Sequence, residues 1–327
     1  TKNNYPPIAI AKGRIIVNFC QGVRSDRRII ARMSLIVRNL VNKVFGKNAM
    51  LNFTRTVKKV VPAMPLWSNQ IHPTANFNHY LSEDVSKNKA TVVYYPTCIS
   101  RVMGGAAADK KNIIETFVSI SNKANVGFTI PKNISGTCCG QIFSSKGFSS
   151  AYQHTVNETV AKMWEWSKGG ALPIVLDITS CTLTLQDCAH ALTPENRQKF
   201  DSIQIIDSVD YILNYLLPNI SIAKKKDNIT LHPVCSLQKM GLEAKFVSIA
   251  RHLAEEVNVP VNAGCCGMAG DRGFLFPELT ASATKPEATE VNQKQYSGYY
   301  SSGKTCEIAM SEAVGKNYES ILYLLDE

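Results

Sequence analysis

The sequence of 327 residues lacks any long hydrophobic run. Because a membrane-spanning helix needs a run of about 18 or more apolar residues, no segment predicts one. The chain also lacks a charged-then-apolar signal peptide at its start, and its first residue is Thr1 rather than methionine. We therefore expect an excised piece of a longer protein and a cytoplasmic location, in which cysteines stay reduced.

Several nucleotide-binding and hydrolytic motifs are missing as well. The sequence has no glycine-rich dinucleotide fingerprint, no phosphate-binding loop and no serine-protease or zinc-protease signature. The stretch 264–270 is rich in glycine, but the two cysteines within it speak against nucleotide binding. The chemistry of the chain is therefore expected to depend on its cysteines.

Acidic residues are nearly absent from residues 1–60, which hold 13 of the 36 Lys and Arg residues but only Asp26 of the 26 acids. Within residues 25–45, apolar side chains recur at helical spacing and basic side chains lie largely on other faces. We interpret residues 1–88 as a basic helical connector. It would pack on a neighbouring domain or, through residues 25–45, contact the inner face of a membrane peripherally. Aromatic residues are sparse there and no nucleic-acid-binding motif occurs, so we expect no nucleic-acid partner.

Eight of the ten cysteines form a doubled pattern. In each copy a lone cysteine comes first, a tandem pair followed by glycine comes next, and another lone cysteine follows. The first copy contains Cys98, Cys138, Cys139 and Cys181, and the second contains Cys235, Cys265, Cys266 and Cys306. Thiolates gathered four at a time are the ligands of 4Fe–4S clusters and of zinc, so the pattern predicts two metal centres. Cys20 and Cys188 lie outside the pattern, and we interpret both as small buried side chains.

Short apolar strands alternate with helical patterns after residue 89. We predict strands at residues 91–95, 126–130, 172–177, 228–232 and 259–262, and helices at 112–123, 150–167, 200–217, 244–256, 307–315 and 321–325. This alternation predicts an α/β fold with two pseudo-twofold-related βαβ modules, Rossmann-like and with parallel sheets, at residues 89–222 and 223–327. The cysteines follow the strands, so the carboxyl edge of each sheet is expected to collect four thiolates.

Four residues beside the cysteine pairs are candidate cofactor-binding residues. Gly140 and Gly267 supply the backbone freedom that a turn needs if adjacent cysteines are to point the same way. Lys146 and Arg272 follow the two turns at nearly equal distances, where each could offset cluster charge, help hold an anion or be a surface cation. His232 in the second copy is either a ligand or donor, or a hydrogen-bonded structural histidine.

The two Cys-Cys-Gly turns resemble those of the cysteine-rich CCG domain family. That family includes the cysteine-rich subunit of heterodisulfide reductase, the iron–sulfur subunit of glycolate oxidase and lactate-utilisation iron–sulfur proteins. Residues 265–279 (CCGMAGDRGFLFPEL) and 305–311 (TCEIAMS) resemble one branch more closely. This branch is the C-terminal part of large bacterial FAD- and iron–sulfur-containing D-2-hydroxy acid dehydrogenases, of the D-lactate or D-2-hydroxyglutarate type. The resemblance covers residues 90–327, and residues 1–90 resemble the helical connector that follows a ferredoxin-like domain in those proteins.

The resemblance implies a modular enzyme in which this chain is the iron–sulfur electron-transfer region. A flavin (FAD) domain would oxidise the hydroxy acid, and a ferredoxin-like pair of clusters would follow. The cysteine-rich modules would then pass electrons to a quinone or a soluble carrier. Neither the flavin domain nor the ferredoxin motif lies in this sequence, so the chain alone should not oxidise substrate. Its implied partners are those two domains of the parent and the electron acceptor.

The sequence departs from the family where each module commonly ends in Cys-x-x-Cys. Those positions hold Cys-Thr-Leu-Thr at residues 181–184 and Cys-Glu-Ile-Ala at 306–309, so each module has one thiolate fewer. The five-cysteine noncubane clusters of heterodisulfide reductase are therefore not expected. A four-cysteine cluster, a zinc ion and a degenerate site remain open, as does a structural zinc-binding or docking role without redox activity. A weaker alternative is thiol–disulfide chemistry at the cysteine pairs.

Overall fold

The computed structural model of the chain describes residues 46, 48–62, 64–72, 74, 86–105 and 110–326. The helix predicted within residues 25–45 and Cys20 lie outside the described residues. The first described element is helix α1 (Ala49–Val60). In its last turn, the Lys58 ammonium donates to the carbonyl oxygen of Leu275 at 2.7 Å, which ties this helix to the second half of the chain. In the described ranges, no helix is long and apolar enough to cross a membrane.

The first sheet contains four parallel strands in the order β2-β1-β3-β4. They are β1 (Val92–Tyr95), β2 (Phe128–Thr129), β3 (Ile174–Leu176) and β4 (Ile205–Asp207). The register pairs Val93 with Ile174 and Val175 with Ile206. The two central strands, β1 and β3, are buried along their whole length. Both faces of such strands are covered, which is why they are continuous apolar runs rather than alternating patterns.

Helices connect the strands of the first sheet. They are α2 (Cys98–Met103), α3 (Ile113–Lys123), α4 (Gln141–Ser144), α5 (Ser149–Trp166), α6 (Thr179–Gln186), α7 (Pro194–Asp201) and α8 (Ser208–Tyr211). The start of α3 is fixed by a capping box: the Asn112 side chain accepts from the N–H of Glu115, and the Glu115 carboxylate accepts from the N–H of Asn112. From α3, the buried Phe117 ring stacks between Tyr94 and Tyr211, with centroids 3.6 and 4.9 Å away.

The second sheet has the same strand order as the first, β6-β5-β7-β8, and is again parallel throughout. Its strands are β5 (Lys226–His232), β6 (Ala254–Asn258), β7 (Gly298–Ser301) and β8 (Glu319–Ser320). Its helices are α9 (Cys235–Lys239), α10 (Glu243–Leu253), α11 (Arg272–Leu275), α12 (Pro277–Val291), α13 (Lys304–Val314) and α14 (Ile321–Asp326). The predicted α/β fold with two parallel-sheet modules is confirmed.

The last described helix crosses from the second module to the first. Helix α14 packs against α3, and residues 321–325 of α14 are all buried. At its end, Asp326 pairs with Lys111 and Lys123 at 2.9 Å each and accepts from the Ser119 hydroxyl at 2.8 Å. The first module therefore depends on the end of the second module for part of its apolar cover.

Two strands lie where the sequence pattern predicts other structure. Strand β4 lies inside the predicted helix 200–217, because periodicity does not distinguish a short buried strand from a helix. Strand β6 begins inside the predicted helix 244–256, and the strand predicted at 259–262 is wrong. β6 is an edge strand that exposes Glu255 and Glu256, so it lacks the apolar pattern of an inner strand. The sequence pattern also does not reveal β7, β8 or α12.

Asp207, the last residue of β4, gives the first module a pH dependence. Burial raises the pKa of its carboxyl to about 6, although the N–H of Val209 and the hydroxyl of Thr182 donate to it. The folded state thus holds this proton more tightly than the unfolded chain, where the pKa of Asp is about 3.9. The contribution of Asp207 to the free energy of unfolding is therefore most favourable below about pH 4 and declines as the pH rises to about 6.

Asp207→Asn is expected to remove that decline, because asparagine has no proton to lose. The stability of the variant relative to wild type should rise by about 3 kcal/mol from acid to neutral pH, since each unit of pKa shift corresponds to about 1.4 kcal/mol. Urea unfolding of both proteins across this range measures the difference. If the difference in the free energy of unfolding between the variant and wild type stayed constant with pH, the raised pKa of Asp207 would be contradicted.

Candidate metal centres

The first centre collects four thiols from the carboxyl ends of three strands. Cys98 begins α2 just after β1, Cys138 and Cys139 lie in the loop between β2 and α4, and Cys181 is the third residue of α6 after β3. The Sγ atoms of Cys98 and Cys138 are 3.5 Å apart, and those of Cys139 and Cys181 are 3.3 Å apart. Cys138 and Cys139 are neighbours in the chain, and the Cys139 side chain influences the pKa of Cys138. The structure thus brings all four predicted residues together at one edge of the sheet.

A buried carboxylate ties the strand ends of this centre together. Asp177, directly after β3, accepts from the hydroxyl of Tyr94 at 2.7 Å and from the backbone N–H of Thr97 at 3.1 Å. Burial raises the pKa of Asp177, and these hydrogen bonds oppose the rise. Thr97 also caps the helix that Cys98 begins. The position of the Cys98 thiol is therefore coupled to β3 through Asp177.

The loop that carries the first cysteine pair is held by side chains from two helices. Arg101 of α2 donates to the carbonyl oxygens of Ile134 at 2.9 Å and Thr137 at 2.6 Å. The hydroxyl of Thr159, from α5, donates to the carbonyl oxygen of Cys138 at 2.9 Å. These bonds fix the pair beside the other two thiols although no strand runs through the loop.

Both glycines that follow the cysteine pairs adopt left-handed backbone conformations. The φ angle is +81° at Gly140 and +74° at Gly267. A Cβ atom on Gly140 would lie 2.8 Å from Cδ2 of Tyr152, and one on Gly267 would lie 2.7 Å from the carbonyl oxygen of Leu279. Glycine is therefore required at both turns by conformation and by space, which agrees with the structural role predicted for these residues.

Gly140→Ala is expected to destabilise the first module more than Gly136→Ala. The two glycines have φ angles of +81° and +80°, so both variants place alanine in the left-handed region, at a cost of about 1–2 kcal/mol. Only at Gly140 does the new methyl group also meet the Tyr152 ring, whereas no atom of the described residues lies within 4 Å of a methyl group at Gly136. The overpacking should cost a further ~1–3 kcal/mol. Urea unfolding measures both variants, and equal losses would contradict the steric role.

The second centre has the same arrangement, but its cysteines are more exposed to solvent. Cys235 begins α9 after β5, Cys265 and Cys266 lie in the loop between β6 and α11, and Cys306 is the third residue of α13 after β7. The Sγ atoms of Cys266 and Cys306 are 2.9 Å apart, and Cys235 interacts with Cys265. Cys266 and Cys306 are buried, while Cys235 and Cys265 are exposed. All cysteines in the described part of the chain are free thiols.

The two centres differ in the acidity of their thiols. In the first, a hydrogen bond with Cys138 and then burial raise the pKa of Cys98 well above the ordinary thiol value. The adjacent Cys139 side chain raises the pKa of Cys138 to about 12. In the second, a hydrogen bond with Cys306 and then the nearby His232 imidazole lower the pKa of Cys266 to about 5, although burial opposes both. The same hydrogen bond and then burial raise the pKa of its partner Cys306 well above the ordinary thiol value, so both centres contain thiols that a bound metal ion would have to deprotonate.

His232, the last residue of β5, is the source of part of this difference. Its Nδ1–H donates to both carboxylate oxygens of Glu287 from α12, at 2.8 and 2.9 Å, and both side chains are buried. Burial alone would lower the pKa of His232, but Cys266 and Glu287 outweigh burial and raise the pKa to about 9. The histidine is hydrogen-bonded, as one of the two sequence interpretations expects, and it interacts with Cys266.

The two cations predicted to bind a cofactor, Lys146 and Arg272, lie in different surroundings. Lys146 pairs with Asp271, with Nζ and Oδ2 2.6 Å apart, and so links the loop after α4 to the residue before α11. Arg272 begins α11 and is exposed. A contact of either cation with a bound cofactor stays a prediction. Cys188 is fully buried in a separate apolar cluster, in agreement with its interpretation as a small core residue.

Sequence reasoning missed the acids that surround the cysteines, Asp177, Glu287 and Asp271. Asp177 directly follows a buried strand and precedes Cys181, and that position was a usable signal. Glu287 lies in the undetected helix α12, far along the chain from His232, and the sequence carries no signal for their contact.

The donor set fits a metal that prefers thiolates. Within the described residues, no three or more Cys, His, Asp or Glu side chains already surround one point as metal ligands. The thiols contact in pairs instead, at 3.3 Å for Cys139–Cys181 and 3.5 Å for Cys98–Cys138. The edge of a tetrahedral zinc–thiolate site is about 3.8 Å, from a Zn–S bond of about 2.3 Å. Small outward shifts of the sulfurs would meet that geometry, and four thiolates are also the number that a 4Fe–4S cluster takes.

The two centres lie at facing edges of the two sheets. The backbone N–H and the hydroxyl of Thr179 both donate to the carbonyl oxygen of Ser302, at 3.2 and 3.1 Å. Thr179 begins the helix that carries Cys181, and Ser302 lies just before the helix that carries Cys306. Helices α6 and α9 also pack against each other. The two groups of thiols are therefore neighbours across the interface between the modules.

A cavity of about 660 Å³ lies between α1 and the segment that follows the second cysteine pair. It is bounded on one side by α1 and by Trp67, and on the other by Met268 and Phe274. Met268 is two residues beyond Cys266 in the same loop. The volume lies within the range of about 300–1,000 Å³ that is usual for small-molecule sites.

Residues 92–186 match the family model of the CCG cysteine-rich domain. The match begins with β1 and ends with the last residue of α6, so it contains all four cysteines of the first centre. A CCG cysteine-rich domain is thus present in the first module. That family is consistent with an iron–sulfur or other metal-binding module.

Proposed function

We propose that the chain is the iron–sulfur electron-transfer region of a flavin-dependent D-2-hydroxy acid dehydrogenase of the D-lactate type. The observation that supports this most strongly is the grouping of eight thiols into two neighbouring sets of four, at facing edges of two sheets. Each set would hold one 4Fe–4S cluster, which takes four cysteine ligands. Such a cluster, when bound, accepts and returns single electrons.

The residues of the chain would position the two centres for this role. Asp177 and Arg101 fix the thiols of the first centre, and the contact of Thr179 with Ser302 keeps the second centre adjacent. The second centre exposes Cys235 and Cys265, so it is the better placed of the two to meet an acceptor. On this proposal the chain is part of an FAD- and iron–sulfur-dependent oxidoreductase, and it does not oxidise substrate alone.

The proposed partners are the flavin and ferredoxin-like domains of the parent enzyme and an electron acceptor. The cavity beside Met268 supports a quinone as that acceptor, because its walls include Trp67, Phe274 and Leu66 and because Met268 is two residues beyond Cys266. A soluble carrier would instead dock over the exposed cysteines. Any membrane contact by residues 25–45 concerns a part of the chain outside the described residues.

The test is to purify the chain without oxygen and to measure iron, zinc and acid-labile sulfide together with the visible spectrum. About four iron and four sulfide per centre, with a brown chromophore that dithionite bleaches, is the expected result. Redox-silent metal would rule out the electron-transfer role. If neither iron nor zinc binds after reconstitution, the assignment of both centres as metal sites is wrong.

A structural zinc or docking module is the second candidate function. It is favoured by the short sulfur separations of 3.3 and 3.5 Å in the first centre, which are closer to a tetrahedral zinc site than to the wider spacing of ligands around a cluster. The Lys146–Asp271 pair between the modules also suits a structural role. About one zinc per centre without colour would identify it. In that case Cys138→Ser and Cys265→Ser should impair folding and leave electron transfer in the parent enzyme intact.

A further inference from the structure

One nitrogen of His232 has no hydrogen-bond partner although it is buried. The His232 side chain is fully buried, and among the described residues its Nε2 atom is one of the few buried polar atoms that make no hydrogen bond. The other ring nitrogen is fully used, because Nδ1 donates to both oxygens of Glu287. A histidine that served structure alone would be expected to satisfy both nitrogens, since an unsatisfied buried group is costly.

The Nε2 atom lies on the side of the second centre. His232 is the last residue of β5, three positions before Cys235, and its imidazole interacts with Cys266. Cys266 and Cys306 form the buried half of the centre, whereas Cys235 and Cys265 are exposed. The unpartnered nitrogen thus belongs to the same buried side as the closest pair of sulfurs.

The hydrogen bond from His232 to the Glu287 carboxylate is of the kind that metal-binding histidines make. A ligating histidine almost always donates its other ring N–H to a carboxylate, a carbonyl or water, which fixes the ring and makes the free nitrogen a better ligand. Glu287 does this here from α12, and it is buried with the histidine.

At the matching position of the first centre, the described residues offer no such nitrogen. The equivalent position, at the end of β1 and three residues before Cys98, is Tyr95. Its hydroxyl is also buried and, within the described residues, without a hydrogen bond. Burial raises the pKa of Tyr95 well above its ordinary value, so it stays protonated and can donate to a sulfur but does not offer a ligand. The two centres therefore differ at one matched position.

We propose that Nε2 of His232 is a metal ligand of the second centre. That centre then offers a mixed set of thiolates and one imidazole, while the first centre is ligated by thiolates alone. The proposal rests on the proposed function in one respect, namely that the second centre binds a metal. It is independent of whether the metal is zinc or iron.

The experiment uses the full chain labelled with ¹⁵N-histidine and loaded with Co²⁺ alone. Pulsed EPR then detects hyperfine coupling between the metal and a directly bound histidine nitrogen. His232→Asn is the decisive variant, because its amide can still donate to Glu287 but has no atom at the Nε2 position. His252→Asn is the matched control, since His252 is exposed and bonds the Ser248 carbonyl. We expect the coupling in wild type and in the control, and its loss in His232→Asn.

A second variant keeps the test informative if His232→Asn fails to fold. Glu287→Gln retains the imidazole but weakens its support, so the affinity of the second centre for Co²⁺ should fall by about 10–100-fold while that of the first is unchanged. Bound Co²⁺ without histidine coupling, or coupling that survives in His232→Asn, would overturn the proposal and leave the proposed function standing. Failure of both centres to bind Co²⁺ would overturn the proposed function as well.

Discussion

Cys139→Ser is expected to abolish metal binding by the first centre and to leave the second centre loaded, whereas Cys266→Ser should weaken metal binding by the second centre and leave the first centre loaded. Each residue is the buried second member of its cysteine pair, with its sulfur 3.3 Å from Cys181 or 2.9 Å from Cys306. A serine hydroxyl stays protonated and is a poor ligand for metals that prefer thiolates. Iron, zinc and sulfide per chain after anaerobic purification measure the effect, and each single variant should keep one of the two centres.

Cys188→Ala is the control for that result. Cys188 is buried, like Cys139 and Cys266, but lies in the apolar cluster with Phe143 and Val156, outside both groups of four cysteines. Its replacement should lower the free energy of unfolding through the lost packing and leave the metal content of both centres unchanged. Loss of metal in this variant, or loss of both centres in either serine variant, would contradict two separate cysteine sites.

Deleting residues 321–327 is expected to unfold the first module as well as the end of the second. The deletion removes the five buried apolar residues of α14, and burying one such side chain contributes about 1.5–3 kcal/mol. Their sum is comparable with the whole stability of a domain, about 5–15 kcal/mol. The contact of α14 with α3 of the first module would be lost. Near-UV circular dichroism and urea unfolding of the truncated chain measure the loss.

Asp326→Asn separates the apolar contribution of α14 from its ion pairs. The variant loses the charge that meets Lys111 and Lys123, whose side chains are about half exposed, so each pair should contribute less than about 1 kcal/mol. We expect a small loss in the free energy of unfolding for Asp326→Asn and near-complete unfolding of the truncated chain. If the two variants lost similar stability, the apolar contact of α14 with α3 would not be the main contribution.

The sequence predicted the site residues where both the residue type and a rule of sheet topology pointed to the same place. The eight cysteines could be placed together because they follow strands, and the carboxyl ends of parallel strands meet at one edge of a sheet. Gly140 and Gly267 could be interpreted because a turn after a cysteine pair needs a left-handed residue. The inner strands β1 and β3 were visible as buried apolar runs.

The sequence was uninformative where a partner is set by tertiary contact alone. The Glu287 carboxylate reaches His232 from a helix 55 positions away along the chain, and Asp271 reaches Lys146 across the module interface from 125 positions away. No local pattern encodes either pair. Strand β6 was misplaced because its exposed Glu255 and Glu256 suit a helix by propensity, and only its pairing with β5 makes it a strand.

The position of α14 has a consequence for synthesis of the protein. Translation proceeds from the amino end, and residues 321–326 leave the ribosome after the eight described strands have been made. Until then, the face of α3 that α14 covers is exposed, and Lys111 and Lys123 have not met Asp326. The first module, although made first, therefore cannot complete its core before the second. A nascent chain that already contains the whole first module would therefore still expose this apolar surface to chaperones. Both modules would complete their folding together rather than in the order of their synthesis.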